Sequence, residues 1–213
     1  MKTDDLVAML ASEADEVRPG TAQRRFGLAM MVGLPLSALL MMATLGLNPD
    51  LAEVTRQGMF WVKLGLPLAL AGISLYAILR IARPGVRAPA APWMIVAALM
   101  SIWLLALVVL VQAAPAERPG LLFGETWVAC PLSILFLSLP MFAAAIWALR
   151  GLAPTSPPLA GATAGLLAGG TGAFVYALHC PEMAAPFIGS WYVLGMALPA
   201  AIGALIGRLV LRW

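Results

Sequence analysis

The sequence predicts an all-α membrane protein, a six-transmembrane-helix bundle with both termini in the cytoplasm. Three observations carry the fold. The first is composition: 62% of the 213 residues are hydrophobic and 11% are charged, whereas soluble domains average about 45–50% and about 25%. With a mean hydropathy of +0.93, the chain has too little charge to cover a water-facing surface. The second is run length. A bilayer core about 30 Å thick needs about 20 apolar residues of helix. Six runs reach that length, at residues 26–47, 59–79, 93–112, 127–149, 159–178 and 190–207. The third is rhythm: no run alternates apolar and polar residues as a barrel strand does, and within lipid a helix satisfies its own backbone groups. The same composition excludes a disordered or collagen-like chain, and two cysteines cannot form a disulfide framework for 213 residues.

Taken in order, residues 1–25 form a polar N-terminal segment and residues 26–213 the membrane domain. In the segment, Thr3 is placed to cap a helix, Asp4 and Asp5 suit its first turn, and Leu6, Val7, Leu10, Ala14 and Val17 recur at helical spacing. Arg18-Pro19-Gly20 ends the pattern. Residues 1–18 hold five acids against two bases. Anionic lipid repels such a helix, which better suits a basic protein partner. Its alternative is a solvated, marginal helix, since short isolated helices are barely stable in water.

The first span follows this polar stretch and is too long for the core of a cleaved signal peptide, so it is expected to remain in the mature chain. Pro35, Pro67, Pro140 and Pro199 fall inside the first, second, fourth and sixth spans and should kink them. Trp103, midway along the third span, reads as a packing residue. The fifth span carries Gly161, Gly165 and Gly169 at every fourth position, and the sixth offers Gly195, Gly203 and Gly207. Lipid is as apolar as leucine, so helices associate by close approach along small faces. The fifth span should therefore be central. Only short polar loops separate the spans.

Orientation follows from Lys and Arg, which cytoplasmic loops retain. Six spans put the N-terminal segment, two inter-span loops and the C-terminus on one side. That side holds Lys2, Arg18, Arg24, Arg25, Arg80, Arg83, Arg87, Arg150, Arg208 and Arg212, ten of the 13 basic residues. Arg56, Lys63 and Arg118 lie toward the other. The net charge of +3 therefore records topology, and no direct contact with nucleic acid is implied. Trp61, Trp127, Trp191 and Tyr192 at outer ends, with Trp93, Trp147 and Trp213 at inner ends, make the aromatic belts of a bilayer protein.

Few residues offer chemistry. The spans hold no carboxylate pair, no Gly-rich phosphate loop and no Ser/His/Asp set, so an enzyme is not expected. Cys130 and Cys180 both fall near the outer face, each followed by proline, at expected breaks in backbone pairing. With His179 beside Cys180 and Glu182 nearby, they read either as a redox or soft-metal site or as two small buried apolar residues. No resident cofactor is expected beyond a transient heavy-metal ion on Cys130, Cys180 and His179. Lys63 lies about one turn inside the second span, where a charge is expensive and asks for a named partner; Glu125 is the natural one. Snorkelling to the surface is the simpler account. A small transporter or channel using Lys63 and Glu125 is the rival functional class, and a membrane thiol oxidoreductase the weakest, since no CxxC is present.

Several segments together resemble the NrsF-type membrane anti-sigma factors: the opening residues 1–10, Trp61-Val-Lys63, Trp127-Val-Ala-Cys130-Pro131, the Gly161 to Gly169 repeat, Tyr176-Ala-Leu-His179-Cys180-Pro181-Glu182, Trp191-Tyr192 and Leu211-Arg212-Trp213. The resemblance covers essentially the whole chain. It implies a multi-pass protein of the bacterial inner membrane that holds an extracytoplasmic-function (ECF) sigma factor through its N-terminal segment, with Leu6 and Leu10 as contacts. It further implies that Cys130 and Cys180 sense metal or oxidative stress and trigger release.

Overall fold

In the computed structural model, residues 3, 20–83, 85–152 and 154–211 are described. The expected amphipathic helix, with Leu6 and Leu10, lies outside the described residues, as do Arg212 and Trp213. From Thr21 on, the described residues form eight helices: α1 (Thr21–Thr44), α2 (Leu51–Val54), α3 (Gly58–Ile81), α4 (Ala90–Gln112), α5 (Arg118–Phe123), α6 (Ala129–Arg150), α7 (Pro157–Tyr176) and α8 (Ala185–Val210). α1, α3, α4, α6, α7 and α8 are long and apolar enough to cross a membrane. No strand occurs among the described residues.

The six spans are those of the hydropathy pattern, with shifted ends. α1 starts at Thr21 rather than residue 26. Its polar first turn is still helical in water, and Arg25 lies 5.7 Å from the Trp147 ring centroid. α8 starts at Ala185 rather than residue 190 and carries a π-helical turn at Ile188–Tyr192. The four expected prolines lie inside α1, α3, α6 and α8. The loops before α3 and α6 add the short helices α2 and α5. In the first of them, the Asp50 N–H donates to Asn48 Oδ1 at 2.9 Å, a local turn that starts α2.

Burial and hydropathy run in opposite directions, as lipid dictates. α4 has the highest hydropathy of the six spans, 2.9, yet only 11% of it is buried; α7 has the lowest, 1.3, and is 72% buried. Trp93, Val111 and Leu209 are among the large apolar side chains left on the outside. In water that distribution would be an aggregation surface, and in a bilayer it is the solvated face.

α7 sits at the centre because its glycines let neighbours reach its backbone. A Cβ added at Gly161 would overlap the carbonyl of Gly203, and one at Gly165 the carbonyl of Pro199. On its other sides Gly170 abuts Pro67 and Ala71 of α3, and Gly172 abuts Ile134 and Ser138 of α6. In water so many glycines would cost a helix about 1 kcal/mol each. In lipid the backbone has no other hydrogen-bond partner, so the helix forms and its grooves become packing surface.

The bundle thus has two ends, named here by their residues. Arg25, Arg80, Arg150 and Arg208 mark the arginine end. Cys130 opens α6 and Cys180 follows α7 at the opposite, cysteine end.

Candidate functional site

Both cysteines are free thiols with no exposed surface. They lie fifty residues apart in sequence, yet they belong to one continuous buried cluster. Cys130 stands in the first turn of α6, its N–H donating to the Thr126 carbonyl at 2.8 Å. Pro131 stands in the same first turn, where proline is tolerated. Cys180 does mark a break: its N–H donates to the Tyr176 carbonyl at 3.0 Å, and an irregular stretch begins at Pro181.

Lys63, five residues from the start of α3, is tied to Cys180. It does not snorkel, because its side chain has no exposed surface. The ammonium donates to the Cys180 carbonyl at 2.5 Å, across the gap between α3 and the end of α7. Carbonyls at a helix C-terminus carry negative partial charge, which makes that end a natural seat for a cation. The nitrogen also lies 5.7 Å from the centroid of the Tyr192 ring. The side chains of Cys180, Cys130 and Glu182 lie near enough to act on its charge.

Glu182, not Glu125, is the carboxylate that Lys63 feels. Glu125 is exposed, and it is its backbone N–H that takes part, donating to Glu182 Oε1 at 2.8 Å. Thr126 Oγ1 donates to the same oxygen at 3.3 Å. Gly124 permits this cradle: its backbone is at φ 54° and ψ −157°, a region essentially restricted to glycine. A Cβ there would also overlap the Glu182 carboxylate. The Lys63–Glu125 pair of a transport path is thus not assembled.

His179 is engaged with the α1–α2 loop. Its Nδ1 lies 3.0 Å from the Gly46 carbonyl, while the Asn48 N–H donates to the Leu178 carbonyl at 3.1 Å. Together these lace the α1–α2 loop onto the end of α7. Among the described residues no group of three or more His, Cys, Asp or Glu side chains is arranged to hold a metal ion. The chemistry available at the site is that of two buried thiols beside a cation.

Two tyrosines complete the site. Tyr176 reaches toward Cys180 and Ser133, and its ring stands 5.8 Å from that of Tyr192. The Tyr192 hydroxyl is buried beside Cys180. Sequence reasoning placed Tyr192 in the aromatic belt and gave Tyr176 no role; the only signal for it was a phenol inside an apolar run. Trp103 proves to be more than packing. It is half exposed, and its indole N–H donates at 2.9 Å to the carbonyl of Gly189 in the π turn.

Residues 10–213 match the family described as "NrsF: Negative regulator of sigma F". Among similar proteins, "Probable anti-sigma-F factor NrsF" of Azospira oryzae is 48% identical over 213 residues, covering 100% of both chains. "Anti-sigma-F factor NrsF" of Caulobacter vibrioides is 38% identical over 216 residues, again covering 100% of both. No solved structure matches the chain.

Proposed function

The chain belongs to the NrsF family of negative regulators of sigma F, and from that premise we propose that it is a multi-pass inner-membrane anti-sigma factor. It sequesters an ECF sigma factor through residues 1–25 on the cytoplasmic side. It releases that factor when metal or oxidative stress acts on Cys130 and Cys180 at the periplasmic end. The observation that carries the reading is the gathering of two thiols, remote in sequence, into one buried cluster.

The rest of the reading follows from charge and topology. Ten of the 13 basic residues fall on the side assigned to the cytoplasm, as cytoplasmic loops require. The acidic segment with Leu6 and Leu10 suits a sigma factor, whose DNA-binding surfaces must be basic to meet phosphate. Two signals fit the thiols. An oxidant takes two electrons and two protons as the Cys130 and Cys180 sulfurs join in a disulfide, or a soft metal ion displaces the two protons and binds both thiolates. Swinging the partner from 99% bound to 99% free needs about 5.5 kcal/mol of differential binding, within reach of either event.

The test is a sigma-dependent reporter in cells treated with diamide or zinc chloride. Cys130→Ser with Cys180→Ser should keep the reporter silent and abolish the response. Full induction in that double variant would remove the thiols from the mechanism. Leu10→Asp should free the sigma factor without any inducer, and its continued co-purification with the full chain would refute the N-terminal contact.

A further inference from the structure

Sensing at a pair of thiols leaves open how a change in sulfur chemistry moves a helix. The buried charge beside them supplies an answer. An ammonium has three N–H donors, and the backbone gives Lys63 one acceptor, the carbonyl of Cys180 itself. The remaining surroundings are the two thiols, the Glu182 carboxylate and the face of Tyr192. Taking an ammonium out of water is costly unless its partners stay in place, so the position of Cys180 decides whether α3 can keep Lys63 where it is.

Both signals considered above disturb that position. A disulfide draws the Cys180 side chain toward Cys130 and turns the backbone that presents the carbonyl. A metal cation on the thiols places positive charge next to the ammonium. Either change weakens the tie between α3 and the end of α7. α3 also touches α7 further along, where Gly170 abuts Pro67 and Ala71, so freeing its Lys63 end leaves it to shift about that contact, carrying with it the loop after Ile81 at the arginine end.

We propose that Lys63 is the positioning residue of the sensor: its bond to the Cys180 carbonyl holds α3 in the sigma-retaining register, and loss of that bond is the step that releases the partner. The proposal rests on the anti-sigma reading above and adds a residue to it. It also makes a distinctive demand, since removing Lys63 must mimic the signal, whereas removing the thiols must block it.

The experiment is the same reporter without inducer, read beside immunoblots of membrane fractions. Lys63→Met keeps the length of the side chain and removes the donors. Expression should rise to about the level that the inducer produces in the wild type, with the protein still in the membrane, and diamide or zinc chloride should add little more. Lys63→Arg, which keeps a cation and donors, should stay near wild-type repression. A purely structural role would lower the amount of protein in parallel with repression. Positioning leaves the amount unchanged and collapses the ratio of induced to uninduced signal. Adding Lys63→Met to the double serine variant should still derepress, because Lys63 acts downstream of the thiols.

Wild-type repression with normal induction in Lys63→Met would overturn the proposal. If that variant does not accumulate, Lys63→Gln decides, since it keeps a donor for the carbonyl and drops the charge: partial derepression supports the proposal, and unchanged repression with normal induction overturns it. A failure of the thiol reading looks different, because the double serine variant would then respond normally whatever Lys63 does.

Discussion

The α7–α8 seam and the cysteine end are both buried in a lipid-facing bundle, and they are held by opposite means. Along the seam, glycines bring backbone against backbone, with carbonyls of one helix filling the grooves of the other. At the cysteine end an ammonium donates to one backbone carbonyl, with two thiols and a buried phenol beside it. Close packing resists displacement everywhere along its length and has no chemical handle. A polar tie breaks when one partner changes. The first region is suited to keep the bundle as a body, the second to let chemistry at sulfur shift one helix.

The contrast can be broken most severely in the seam. Gly165→Val should cost at least about 3 kcal/mol, the upper range for overpacking, because the added carbons meet the immovable Pro199 carbonyl. Loss of the protein from the membrane fraction, or a much lower aggregation temperature in detergent, checks this; normal accumulation would mean that the seam yields. Next comes Gly124→Ala, expected to cost about 1–3 kcal/mol through backbone strain. It should also dislodge Glu182 and, unlike the seam variant, shift sigma repression more than protein level.

Smaller effects sharpen the comparison. Trp103→Phe keeps the ring and deletes its bond to the π turn. It should cost about 1 kcal/mol, the worth of one hydrogen bond, seen as a modest drop in the aggregation temperature. Trp147→Ala removes the ring beside Arg25 and should change stability by only about 0.5–1 kcal/mol. A larger loss than that of Trp103→Phe would mean that the arginine end carries more of the fold than the seam comparison allows.

Run length revealed the six spans because the bilayer imposes one thickness on every crossing. It misplaced the starts of α1 and α8 by five residues each, because a polar first turn in water is helical without being apolar, and because Pro186 reads as a loop residue although a helix tolerates proline in its first turn. The glycine spacing announced the central helix, since small residues matter in lipid only where another backbone approaches. At the site, Cys130 and Cys180 were legible as residue types with proline neighbours. The partner of Lys63 was not, because Glu125 and Glu182 both lie near the cysteine end and only the register of α3 against α7 distinguishes them. His179 misled for the same reason: adjacency to Cys180 says nothing of the direction of its ring, which is fixed by the Gly46 carbonyl. Tyr192 gave no signal of a buried phenol because it closes a π turn, which has no sequence signature of its own.

The claim on which the account turns is that two sulfurs fifty residues apart share one site. Phenylarsine oxide, which bridges neighbouring thiols, tests it on the purified full chain, with alkylation in denaturant reporting what remains free. One equivalent per chain should protect Cys130 and Cys180 together, and replacing either cysteine by serine should abolish protection of the other. Independent alkylation of both cysteines after that treatment would contradict the account.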